Sequence, residues 1–188
     1  SKYKGGAFNK AIWETLPIRD GKVDISRDPN LAFAAVCNRH GSGDRTIAVI
    51  RDFGLVHGAI ASTISHDSHN FCVIYKKPED AYAAARELRR TGGGITVVSD
   101  GSVLATAALP VAGLMSLLPV EELAAQVDQA IQAICKVSGG QNVFPKITSL
   151  ALVVLPGTLL SDKGLVDGPS QTFLPIFGET QEDENEKH

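Results

Sequence analysis

Two short runs without a charged residue constrain the fold most: Gly58-Ala59-Ile60-Ala61-Ser62-Thr63-Ile64 and Phe71-Cys72-Val73-Ile74-Tyr75. Each is too short for a helix of ordinary length. Each is built from small, β-branched or aromatic residues, the composition of strands buried on both faces. Between them stand five consecutive polar residues, His66-Asp67-Ser68-His69-Asn70. A polar insert between two buried strands belongs at a strand end, where its side chains can leave the sheet. Two imidazoles and a carboxylate within four residues make the insert the first candidate for function. The plain alternative is a polar turn in which Asp67, Ser68 and Asn70 bond nearby backbone groups.

The rest of the chain supplies partners for these strands. Leu31–Asn38 and Arg45–Arg51 read as strands joined through Arg39-His40-Gly41-Ser42-Gly43-Asp44, a turn rich in Gly and Asp. Pro78 opens a helix, with Glu79 and Asp80 at its positive end and Arg86, Arg89 and Arg90 towards its negative end. Its expected buried stripe is Ala81, Tyr82, Ala85 and Leu88, and Gly92-Gly93-Gly94 closes it. Ile95–Val98 and Val103–Ala107 flank Asp100-Gly101, a hairpin signal. Leu109-Pro110-Val111-Ala112-Gly113-Leu114-Met115-Ser116 reads as an apolar loop. A second helix begins near Pro119, with Val120, Leu123, Ala124, Val127, Ala130, Ile131 and Ile134 at helical spacing. A last buried strand is expected over Leu150–Leu155. Tight turns between successive strands predict an α+β fold, a mainly antiparallel β-sheet system covered by two or more helices.

Residues 1–30 form a lead-in segment expected to pack a few large side chains, Trp13 among them as core or cover. Residues 31–178 form the domain, and 179–188 an acidic tail expected to be disordered. The five acids and one lysine of that tail outweigh the whole formal net charge of −3, so the body is nearly neutral. It lacks the basic stripe that nucleic-acid binding requires. No apolar run is long enough to span a membrane, and no secretory leader is evident at the start. Three cysteines at wide spacing, Cys37, Cys72 and Cys135, favour buried free thiols in a reducing compartment, hence the cytoplasm.

Several chemistries can be weighed on residue types alone. Asp67, Ser68 and His69 make a poor nucleophile triad, because neighbours on an extended chain point to opposite faces. A metal site is more plausible: Asp67 and His69 share a face of an extended segment, a tight turn could join His66 to His69, and His40 and His57 could converge on them. The chain has no H-x-H pair and no H-E-x-x-H helix, so no metal ligand is assigned. Gly92-Gly93-Gly94 follows a helix instead of opening one, which suits a cap and not a phosphate cradle. Met115 packs in the core or lines a site near a flat ligand.

The run Gly54–Ser62, then His66-Asp67-Ser68-His69-Asn70, Gly92-Gly93-Gly94 and Leu109–Ser116 resembles the C-terminal domain of bacterial and archaeal adenine deaminases. The Arg39-His40 turn, Leu150-Ala151-Leu152 and Lys163-Gly164-Leu165-Val166-Asp167 continue the likeness, which covers residues 31–168. Pro145–Ser149 and the end from Phe173 depart from it. The resemblance implies an amidohydrolase that converts adenine and water to hypoxanthine and ammonia, with Mn or Fe held in a preceding (β/α)-barrel and not in this chain. On that footing His66, Asp67 and His69 are expected to act catalytically at the barrel mouth, and Ser68, Asn70 and Met115 to contact substrate. The expected partners are adenine, the barrel and further copies of the chain in a homo-oligomer. This chain alone should be inactive. A stand-alone purine-binding or oligomerisation domain and an autonomous metal hydrolase are the competing readings.

Overall fold

A computed structural model describes residues 9–178. Its centre is a six-stranded, wholly antiparallel sheet. In chain order the strands are β3 (Leu31–Cys37), β4 (Arg45–Arg51), β5 (Ala59–Ser62), β6 (Phe71–Tyr75), β7 (Gly94–Ser99) and β8 (Ser102–Ala108), arranged across the sheet as β4-β3-β6-β5-β7-β8. Ahead of it lies a small hairpin, β1 (Ile18–Arg19) with β2 (Lys22–Val23). After it comes a three-stranded sheet of β9 (Thr158–Ser161), β10 (Gly164–Asp167) and β11 (Thr172–Leu174).

The uncharged runs are explained by burial on both faces of the sheet. On one face α1 (Pro78–Thr91) packs Ala83, Ala84 and Leu88 against Ala59, Ala61, Val73 and Val98. On the other, α2 (Val120–Val137) and α3 (Phe144–Leu150) bury Ile134, Val137 and Ile147 against Val36, Ile60, Ile74 and Val97. Because β5 is antiparallel to both β6 and β7, those two run parallel, and α1 is the crossover that joins them past β5. The β7–β8 hairpin turns on Asp100 and Gly101, with φ of 49° and 76°, the pair of left-handed residues that a two-residue turn of this hand requires.

Four expectations are corrected. Leu150–Leu155 is not a strand: Phe144 and Pro145 open α3, which ends at Leu150, and the chain then turns with Val154 67% exposed. An apolar run of six residues has no periodicity able to separate the two outcomes. The buried stripe of α1 is Asp80, Ala83, Ala84 and Leu88, while Tyr82 is 72% exposed. Small alanines are needed where the helix crosses Ala59 and Ala61, and Asp80 turns inward to accept the Gly101 N–H at 2.7 Å. The first turns of α2 ride at the surface, with Val120 72% exposed. Of the two roles expected for Trp13, core or cover, its 68% exposure rules out the first. The acidic tail lies outside the described residues.

Candidate functional site

The register places the ends of six strands side by side: Cys37 opposite Arg45 and Phe71, Ser62 opposite Cys72 and Ile95, and Gly94 opposite Ala108. Three loops therefore meet at one end of the sheet: 38–44, 63–70 and 109–116. The polar insert is the central one. His66, Asp67 and Ser68 are exposed at its tip, His69 is half-buried, and Asn70 is 2% exposed at the foot of β6. The turn brings the two imidazoles together, with ring centroids 5.9 Å apart and edge to face. The His69 N–H closes the turn on the Ser65 carbonyl at 2.6 Å.

The loop is fixed from below and from both sides. Thr63 Oγ1 donates to the Gly113 carbonyl at 2.6 Å and accepts the Gly94 N–H at 2.8 Å, tying it to the 109–116 loop and the start of β7. A Cβ on Gly93 would run into the Gly113 backbone, so this close approach requires glycine. Arg39 donates from Nε to the His69 carbonyl at 2.5 Å and from Nη2 to the Ala112 carbonyl at 2.6 Å. His40 Nε2 lies 2.9 Å from the Ser68 carbonyl.

Three polar atoms inside the loop, Ser65 Oγ, His69 Nδ1 and Asn70 Oδ1, are buried and have no hydrogen-bond partner among the described residues. Such groups cost stability and are concentrated at positions kept for another reason. Beside them the 109–118 segment offers apolar surface: Met115 is 58% exposed and Leu117 86%. The end of the sheet thus presents imidazole and carboxylate groups together with the exposed Met115 thioether and Leu117. It can hydrogen-bond the edge of a flat polar ligand and cover its face.

His40 joins the polar insert, but His57 does not. His57 sits at the opposite end of the sheet, with Nδ1 3.0 Å from Ser99 Oγ. Among the described residues no three His, Cys, Asp or Glu side chains group closely enough to hold a metal ion, so the donor set does not fit a manganese or iron centre. The cysteines are free, and only Cys72 is fully buried. Burial pushes the Cys72 thiol up to about 12 and raises that of Cys37, which leaves neither as a thiolate nucleophile at neutral pH. Thr63, and Arg39 as a tether of two loops, were not found from sequence. Their partners are backbone carbonyls 30 to 73 residues away, which leave no local pattern.

The family model described as the adenine deaminase C-terminal domain matches residues 7–172, so the match takes in most of the lead-in segment as well as the sheet. An adenine deaminase of Brucella anthropi is 43% identical over 173 residues, covering 90% of this chain and 31% of the relative. An adenine deaminase of Moorella thermoacetica is 42% identical over 156 residues, covering 81% and 26%. Adenine deaminase 2 of Carboxydothermus hydrogenoformans is 38% identical over 164 residues, covering 86% and 29%. The chain spans less than a third of the length of these curated relatives. No helix among the described residues is long and apolar enough to cross a membrane.

Proposed function

Because the chain belongs to the adenine deaminase C-terminal domain family, we propose that it is the part of such an enzyme that completes the rim of the active site. The overall reaction takes adenine and water to hypoxanthine and ammonia. The observation that carries this reading is the exposed His66-Asp67-Ser68 tip, braced by Arg39, His40 and Thr63 and flanked by Met115. Polar groups held this firmly at a strand end suit recognition of a ligand more than solvation of a turn.

In this reading the metal, Mn or Fe, belongs to a barrel elsewhere in the enzyme, where it would activate the attacking water. The residues here bind and orient. The Asp67 carboxylate accepts a hydrogen bond from a purine N–H or from the exocyclic amino group. His66 and His69, 5.9 Å apart, can carry a proton between substrate and solvent at their ring nitrogens. Ser68 contacts the purine edge, Asn70, buried at the foot of β6, shapes the loop from beneath, and Met115 lies against the purine face. A cytoplasmic enzyme accords with the three free cysteines.

The test is Asp67→Asn in the enzyme that carries this domain. Turnover of adenine should fall by about a hundredfold or more, the lower end of what a positioned acid or base at a reacting centre contributes. Unchanged turnover with unchanged metal content would remove the catalytic role and leave a purine-binding or assembly domain.

A further inference from the structure

Arg39 reaches from outside both loops and bonds each of them. Its Nε and Nη2 lie on one edge of the planar guanidinium and reach the carbonyls of His69 and Ala112, at 2.5 and 2.6 Å. Both of those residues hold left-handed backbone, with φ of 49° for His69 and 54° for Ala112. A non-glycine residue in that region is strained and persists only where its surroundings fix it. Two such residues, 43 positions apart in sequence, share one guanidinium. Gly113 is fitted to the same group, since a Cβ there would lie 3.1 Å from Arg39 Nη2 and 3.0 Å from Thr63 Oγ1.

We infer that Arg39 is a positioning residue that locks the His66–Asn70 loop and the Leu109–Met115 loop into a single unit. It does so by bonding the backbone of both loops at their strained residues. The inference rests on the proposed role of that rim in adenine deamination, but the coupling of the two loops can be measured without it. Two divergent carbonyls need a fork of donors in fixed geometry. Arginine provides one; lysine offers a single compact ammonium that can satisfy one carbonyl well but not both.

Hydrogen–deuterium exchange on the 188-residue chain, with Arg39→Lys and Arg39→Met beside the parent, tests the coupling. The hydrogen-bonded amides of His69, Val111, Leu114 and Met115 should exchange together about tenfold faster in Arg39→Met, the scale of one lost charged hydrogen bond, and by less in Arg39→Lys, which keeps one of the two bonds, while β3, β5 and β6 keep their protection. In Arg39→Met, loosening of one loop alone, of neither, or of the whole sheet would overturn the inference. In the enzyme that carries the domain, Arg39→Ala should lower kcat about tenfold with little change in KM. Added guanidinium should restore part of that loss and none of the loss in Asp67→Asn. If Asp67→Asn cripples turnover while Arg39→Ala does not, the inference fails and the proposed function stands. If Asp67→Asn is silent, the proposed role fails and the exchange result alone decides the coupling.

Discussion

Glu87 accepts two hydrogen bonds from Arg90, at 2.8 and 2.9 Å, and a third from Thr106 Oγ1 at 3.1 Å, so it fastens α1 to β8. The Arg90 guanidinium, followed by the Thr106 hydroxyl, holds its carboxyl below the ordinary glutamate value against the opposing effect of partial burial. A carboxyl depressed in the folded state stabilises the fold above its unfolded value, and that contribution is lost as pH falls through the folded value. Glu87→Gln should therefore cost about 1 kcal/mol or less at neutral pH, since Arg90 is 71% exposed. The difference from the parent should vanish below the folded value, as read from urea midpoints across pH. A difference that grows on acidification would have the wrong sign. The same kind of residue-level reading singles out His66, Asp67 and His69 as candidates, because titratable groups set between apolar runs stand out in sequence. It could not find Arg39 or Thr63, whose roles lie in distant backbone carbonyls.

Among elements, the strands were legible and the helix faces were not. β5 and β6 are buried along nearly their whole length, so the absence of charge was enough to identify them. On α1 the alanines at 81, 83, 84 and 85 are equivalent by hydropathy, and only packing against Ala59 and Ala61 selects 83 and 84. On α2 the periodic pattern is real, but burial follows it only in the last two turns: Ile134 is fully buried and Val120 is 72% exposed. Ile134→Ala should thus destabilise the chain by about 2–5 kcal/mol, and Val120→Ala by no more than about 0.5 kcal/mol. Equal losses in denaturant titrations would mean that the sheet face of α2 is assigned wrongly. The stretch 150–155 was misread because a short apolar run fits a strand, a helix end or a buried turn equally well.

On the scale of the whole molecule, an antiparallel sheet with helices on both faces gathers its loops at its two ends. The end with loops 38–44, 63–70 and 109–116 is braced by Arg39, His40 and Thr63 and carries the exposed imidazoles and carboxylate. The order of motifs along the chain was enough to assign the family. How the loops close on one another could be read only from the fold. The central claim is that this domain finishes an active site whose metal is held elsewhere. The most direct measurement is ammonia release from adenine by the purified 188-residue chain supplied with Mn²⁺. The account predicts no release by the chain alone. Release that a chelator abolishes would place a complete metal site within these residues and contradict it.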